Sequence, residues 1–477
     1  METPIYNFVN KYISENACRF HMPGHKGVSG LLGVEKGDIT EIDGADELYL
    51  ANGIIEESEK NAGKLFNAHT FYSTEGSSLA IRAALALLVM WAREQSDIPP
   101  VILAGRNAHK TLIDASITLD FDIDWIMPSR DDSYESCTID AAYLSQVLEA
   151  YKTDNRPLPV ALYITSPDYL GHISDIKALA QICHSYGIYL FADNAHGAYL
   201  KFLHPSLHPM DLGADMCSDS AHKTLPVLTG GAYLHISRDT NPFFMRNAQK
   251  AMSLFGSTSP SYLILQSLDI ANLLMEKYEE IISTSTARTT RIKEHLRNAG
   301  YWLIGNEPQK ITIRLATGCG KEIAKELYKS KIIPEYYDNR HIVFMITPNN
   351  SEEELNILRD FFEQEKIRLL AECKPIQCVG RTTNTFDRLP LPQKAMSARE
   401  AFFRPSEKVL IRDSIGKILS DTLLSCPPAI PLFMSGEVID ERIITHKEWT
   451  AYDTINVIAD EQIGDINEQK QNLFNYY

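Results

Sequence analysis

From about residue 54 onward, short β-prone apolar runs alternate with longer stretches whose apolar positions recur at helical spacing. Residues 80–91 and 110–119 read as helices, and 101–104 and 160–165 as strands. Residues 176–186 then read as a helix, followed by the apolar run Ile188-Tyr189-Leu190-Phe191-Ala192 as a strand closing at Asp193. A second short run, Ala214-Asp215-Met216-Cys217, precedes Lys223. Such alternation predicts an α/β layer built largely on a parallel sheet. After Gly231 the pattern becomes mainly helical, with one long helix that Ser259 caps and Pro260 opens, running to about Arg297.

The periodicity then changes. Strand candidates at 311–315 and 342–346 precede a helix that begins near Ser351-Glu352-Glu353-Glu354. Ser followed three residues later by Glu is a capping box, and Leu355, Leu358, Phe361 and Phe362 supply one apolar face, so a compact α+β unit is expected. Periodicity fades over 373–392, which predicts a linker, and Ser397-Ala398-Arg399-Glu400 repeats the capping-box pattern at the start of a terminal unit. The expected organisation is an N-terminal segment (1–53), a large α/β domain (54–290), a small α+β domain (291–375) and a C-terminal unit (376–477). Residues 460–477 are polar and expected at the periphery.

At 477 residues the chain exceeds one typical domain, and 44% hydrophobic with 23% charged residues is ordinary globular composition. A net charge of −16 argues against sequence-independent nucleic-acid binding, which needs clustered Lys and Arg to displace counterions, and is compatible with a cationic substrate. Met1-Glu2-Thr3-Pro4-Ile5-Tyr6 lacks a basic region followed by an apolar stretch, so no secretory signal is read there. The most apolar segment, 83–92, is too short to span a bilayer, and no membrane partner is expected. The eight cysteines show no paired metal-ligand spacing; they read as reduced thiols of a cytoplasmic protein, and no metal site is predicted. A GxxxxGK[S/T] phosphate loop is absent, which disfavours a nucleotide hydrolase.

Candidate chemistry centres on two strand ends. Lys223 lies in Ser220-Ala221-His222-Lys223-Thr224-Leu225-Pro226, before a Thr229-Gly230-Gly231 turn, and Asp193 opens Asp193-Asn194-Ala195-His196. Open α/β sheets place ligands where strands end. A lysine amine can form a Schiff base with pyridoxal 5'-phosphate, while a buried carboxylate can keep the pyridine nitrogen protonated so that the ring withdraws electrons. Ahead of the first helix of the large domain, Tyr72-Ser73-Thr74-Glu75-Gly76-Ser77-Ser78 groups small hydroxylated residues around a glycine. Free N–H groups and the positive end of a helix dipole attract phosphate there, making Ser77 and Ser78 phosphate candidates, although serine is also an ordinary N-cap. Ser220 and His222 could complete the cup. His109 follows the strand at 101–104 and can lay a flat imidazole on a flat pyridine ring, leaving the other face to the small methyl of Ala195.

Taken in order, these motifs resemble the ornithine/lysine/arginine decarboxylase family of fold-type-I pyridoxal phosphate enzymes, in its shorter form. The resemblance runs through Phe-His-Met-Pro-Gly-His-Lys-Gly at 20–27, an expected ordered loop, Glu-Ile-Asp-Gly-Ala-Asp-Glu-Leu at 41–48, and Ser-Thr-Glu-Gly-Ser-Ser at 73–78. It continues through Asp193 with Ala195-His196, Ser-Ala-His-Lys-Thr-Leu-Pro at 220–226, and Cys-Pro-Pro-Ala-Ile-Pro-Leu at 426–432 with Gly436-Glu437. It implies Lys223 as the attachment lysine, Asp193 on the ring nitrogen, His109 over the ring, Ser77, Ser78, Ser220 and His222 around the phosphate, and His196 near the phenolic oxygen. It also implies decarboxylation of arginine, lysine or ornithine to the amine and CO2, for polyamine biosynthesis, with acid tolerance left open as the other role. Two departures stand out: Glu75 where many longer members have Asn, and Ala429 in place of a common Gly. Because the chain begins almost at the Pro-Gly-His-Lys element, no N-terminal wing domain is expected, and the resemblance implies a homodimer or homotetramer rather than a large decamer.

A basic substrate needs a carboxylate at its far end, because an unpaired buried ammonium or guanidinium is costly. Asp43, Asp46, Glu47 and Glu437 are the candidates near family motifs. Transamination or aldol-type cleavage on the same fold remains open, with Arg314 available as a carboxylate clamp, as does a catalytically inactive binding protein.

Overall fold

The computed structural model describes every residue except 29, 31, 128–135, 316–318, 372–390, 426–428, 442, 444–452 and 460–477. The expected linker thus falls almost wholly outside the described residues, as do the first three residues of the 426–432 motif and the polar C-terminal end.

Seven strands, β1 (Ala68–Ser73), β2 (Val101–Gly105), β3 (Asp122–Ile126), β4 (Ala161–Thr165), β5 (Tyr189–Asp193), β6 (Met216–Asp219) and β7 (Ala232–Ser237), form one sheet in the order β1-β7-β6-β5-β4-β2-β3. β7 runs antiparallel to its neighbours β1 and β6, while the other pairings are parallel. The mainly parallel α/β sheet is therefore present. Its helix Gly76–Gln95 packs on the helices Pro242–Ser253 and Lys110–Leu119 and on β7, which explains why its apolar residues are not confined to one narrow stripe. At 20 residues it outgrows the segment read from the sequence, and by length and composition alone could cross a bilayer. Here Leu79, Ala83, Ala84, Leu87 and Leu88 sit in the core with almost no exposure.

Two readings beyond Gly231 require correction. β7 was not expected there; Ala232, Leu234 and Ile236 alternate with Tyr233, His235 and Ser237, and the strand is buried on both faces. The single long helix is two, Tyr262–Met275 and Tyr278–Asn298. Ser261, not Ser259, caps the first by accepting from Ile264 N–H.

The second sheet has the order β10-β11-β9-β8, from β8 (Trp302–Ile304), β9 (Lys310–Arg314), β10 (Tyr336–Tyr337) and β11 (His341–Met345), with antiparallel pairings throughout. Ile311, Ile313, Ile342 and Phe344 form one core with Leu355, Leu358 and Phe362 of the helix Glu352–Glu363. Both halves of the expected capping box at Ser351 are formed. Towards the C-terminus, β12 (Ser406–Leu410) pairs with β15 (Thr454–Ile458), and β13 (Leu423–Ser425) with β14 (Ile430–Phe433).

A buried polar knot supports β1, the strand that leads to the serine cup. Glu59, on the helix Ile54–Phe66, accepts the Tyr72 N–H at 2.8 Å. The Tyr72 hydroxyl meets Ser58 Oγ at 2.8 Å and takes an N–H from Asn272 at 2.7 Å, while Ser58 donates to Asp269 at 2.5 Å. Burial, reinforced by Asp46 and Glu56 and opposed by the Tyr72 N–H, pushes the Glu59 carboxyl up to about 8.

Candidate active site

β5 and β6 end side by side, with Asp193 opposite Ser218, so the turns after them converge. Asp193 is 2% exposed. Its Oδ2 accepts from the Tyr163 hydroxyl at 2.7 Å and its Oδ1 from the Ala195 N–H at 3.3 Å. Burial and the neighbouring Asp193 charge hold the Tyr163 phenol well above its ordinary pKa, so it stays a donor. A carboxylate has about four lone-pair sites. Asp193 thus retains capacity for a further N–H donor.

Lys223 lies on the short helical turn Ala221–Thr224, its Nζ 3.2 Å from His196 Nε2. Burial lowers its ammonium pKa while Asp193 and Glu335 oppose the shift. His109 is the N-cap of the helix Lys110–Leu119, its Nδ1 accepting from Thr111 N–H at 3.3 Å and lying 2.8 Å from the Thr111 hydroxyl. Burial depresses its pKa as well, with Asp193 opposing and Lys223 reinforcing, so these three residues share one electrostatic neighbourhood.

The serines also converge. Ser220 Oγ donates to Ser77 Oγ at 2.8 Å, and Thr111 Oγ1 donates to Ser78 Oγ at 3.3 Å. Gly76, in the left-handed region at φ +73°, starts the helix and donates its N–H to Gly230 O at 2.7 Å. That approach needs Gly230 as glycine, since a Cβ there would stand 2.8 Å from Thr74 O. His222 turns Nδ1 to the Gly231 carbonyl at 3.0 Å, and Ala195 is buried. Beneath the site, buried Asp219 takes His208 at 2.9 Å, His235 at 3.2 Å and Asn194 at 2.7 Å. His208, Cys217 and Asp219 are close enough to share an ion, but hydrogen bonds already join Asp219 to the other two.

The substrate candidates fare differently. Asp46 accepts backbone N–H groups from Glu47, Asn52, Gly53 and Ile55, which anchors the start of the helix Ile54–Phe66. Glu437 is buried against Arg106, whose Nη2 lies 2.9 Å from Oε2, and also takes the Met434 N–H at 2.8 Å. Both carboxylates hold the fold together, which corrects their assignment as substrate contacts. Asp43 and Glu47 are exposed, and no described hydrogen bond or ion pair joins them to Lys223 or Asp193. Arg314 lays its guanidinium over Trp302 at 4.6 Å, giving the clamp reading no support. The two departures from the family pattern have distinct outcomes: Glu75 accepts the Ser257 N–H at 2.7 Å, and Ala429 adopts φ +56°, the region where glycine is at ease.

Sequence reasoning missed Tyr163, Thr111 and Lys310. Tyr163 carried a signal, a polar-tipped aromatic on the strand beside the one ending at Asp193. Lys310 carried a weaker one, a charge directly before the strand candidate 311–315.

The model of the Orn/Lys/Arg decarboxylase major domain matches residues 3–313. The chain belongs to that family. Among its relatives, the arginine decarboxylase of Bacillus subtilis is 27% identical over 93% of both chains. The inducible lysine decarboxylase of Escherichia coli is 21% identical, covering 92% of this chain and 75% of its own. In structure, lysine decarboxylase A from Pseudomonas aeruginosa superposes with a TM-score of 0.77 at 18% identity, over 96% of this chain and 80% of the other. The fold-type-I architecture expected from the motifs is thus the family's own.

Proposed function

We propose that this family member is a pyridoxal 5'-phosphate-dependent decarboxylase of a basic amino acid, arginine, lysine or ornithine, releasing CO2 and the corresponding amine. The observation that carries the reading is the meeting of Lys223 and Asp193 beside His109 at the end of the parallel strands, with Ser77, Ser78 and Ser220 gathered at a helix N-terminus. The donor set suits the cofactor: an amine of lowered pKa for its aldehyde, a buried carboxylate with spare acceptor capacity for its ring nitrogen, and hydroxyls with free N–H groups for its phosphate. When bound, pyridoxal phosphate supplies a ring that takes up the negative charge left as CO2 departs.

Asp193 would hold the ring nitrogen, and Tyr163 orients that carboxylate by donating to its Oδ2. His109 offers an imidazole face, its rotation fixed through Thr111. Lys223 is placed to move a proton through Nζ. The names of the relatives and the −16 charge favour a cationic substrate. A homodimer or homotetramer in the cytoplasm completes the reading: Phe20, Met22, Val28 and Leu32 leave apolar side chains in water along the N-terminal segment, and Cys18, Cys183 and Cys217 carry free thiols.

The test incubates purified holoprotein with arginine, lysine and ornithine and measures CO2 and 2-oxo acid in parallel. One substrate is expected to yield CO2 and amine in equal amounts. Formation of 2-oxo acid without CO2, or a cofactor absorption band that persists unchanged in Lys223→Ala, overturns the proposal.

A further inference from the structure

His196 stands between two lysines, Lys223 of the helical turn after β6 at Nε2 and Lys310 of the second sheet at Nδ1, the latter 3.4 Å away. Lys310 opens β9 of the second sheet yet is only 4% exposed. Its Nζ also reaches the carbonyls of Asp168 at 3.1 Å and Tyr169 at 3.4 Å. Carbonyls only accept, so each takes one N–H. An ammonium has three such donors and no lone pair. The third proton is left for His196 Nδ1.

Burial, reinforced by Lys223, lowers the Lys310 ammonium pKa, and three carboxylates, Glu307, Asp168 and Glu335, offset part of that fall. The Tyr169 ring meets the His196 ring edge-on at 5.2 Å and lies 5.8 Å from the Lys310 amine. His196 is faced by Lys223, Lys310, His109 and His222, and burial together with these groups keeps its imidazole neutral. A neutral imidazole that accepts at Nδ1 carries its proton at Nε2. That proton points at Lys223 Nζ, which accepts it only as an uncharged amine.

We infer that Lys310 is a positioning residue that fixes His196 as its Nε2–H tautomer, so that His196 donates to Lys223 and favours the neutral amine. The second sheet thereby helps set the protonation state of the attachment lysine. Assigning Lys223 to attachment rests on the proposed function, but the proton arrangement belongs to the apoprotein and is testable without cofactor or substrate.

The first measurement is a long-range 1H–15N spectrum of wild-type apoprotein labelled with 15N-histidine, the His196 signal identified by its loss in His196→Phe. A proton on Nε2 is expected; one on Nδ1 overturns the inference whatever the variants do. The second is the rate at which acetic anhydride modifies Lys223 in the apoprotein at near-neutral pH, read by peptide mass spectrometry. Lys310→Met should slow modification about tenfold, the upper end of what one hydrogen bond between neutral groups contributes. In a His196→Phe background the same substitution should change the rate less than about twofold, because the coupling passes through the imidazole. An equal slowing in both backgrounds marks a direct charge effect and refutes the positioning role, as does no slowing in either. If Lys310→Met does not fold, Lys310→Leu, likewise without a donor, takes its place in the cycle.

Discussion

Glu59 offers a quantitative test of the support beneath the serine cup. Its carboxyl, ordinarily at 4.5, is pushed to about 8 mainly by burial. The folded state therefore holds a proton that the unfolded chain has released, and stability falls as pH rises from about 4.5 to 8. The slope is about 1.4 kcal/mol per pH unit, so by pH 7 roughly 3 kcal/mol has been lost relative to pH 4.5. Glu59→Gln keeps a carbonyl for the Tyr72 N–H but cannot ionise. Its stability advantage should widen by about 1.4 kcal/mol per unit between pH 5.5 and 7.5, which for a cooperative unit of this size is roughly 3–6 °C in Tm. Thermal unfolding of both apoproteins at pH 5.5, 6.5 and 7.5, at one scan rate, reads this directly. Asp269, raised to about 6 by burial, titrates in both proteins and largely drops out of the difference. A Tm difference that stays constant across the three pH values would refute the buried, protonated carboxyl.

Three further substitutions probe the site and its frame. Asp193→Ala should lower CO2 release by several orders of magnitude, since removing one preorganised electrostatic partner typically costs about 10²–10³ and here the ring nitrogen loses its proton holder; a few-fold loss would exclude that role. Asp46→Ala should destabilise by about 1–2 kcal/mol, measured by urea unfolding, with KM unchanged, because its carboxylate serves backbone N–H groups. Glu437→Gln should cost about 3–5 kcal/mol by leaving the Arg106 guanidinium buried without a counter-charge, and a neutral effect on Tm would show that the pair is not a structural anchor.

Much of the candidate site's frame was legible because it obeys local rules. Asp193 and Lys223 follow short apolar strands, and Ser77 and Ser78 follow a glycine at a helix start, so strand-end and helix-dipole arguments reach them without tertiary information. β7 was overlooked although Ala232, Leu234 and Ile236 alternate with Tyr233, His235 and Ser237, a strand signal of only six residues at the edge of a helical stretch. Asp46 and Glu437 were misread because a carboxylate's identity does not say what it faces. The partner of Glu437 is an arginine 331 positions away, and no local pattern encodes such a meeting. Lys310 escaped likewise, its partners lying in loops more than a hundred residues upstream.

The anchoring of the loop that carries His109 bears on how such chains can be recombined. Arg106 is clamped by Glu437 and the Leu432 carbonyl and stacks on Trp125 at 4.8 Å, while the Lys110 N–H donates to the Ala429 carbonyl. Position 109 is thus suspended between two points tied to the tail. Swapping tails between paralogues, or trimming a crystallisation target at the edge of its major domain, would strand a guanidinium three residues from His109 unless residue 106 were exchanged at the same time.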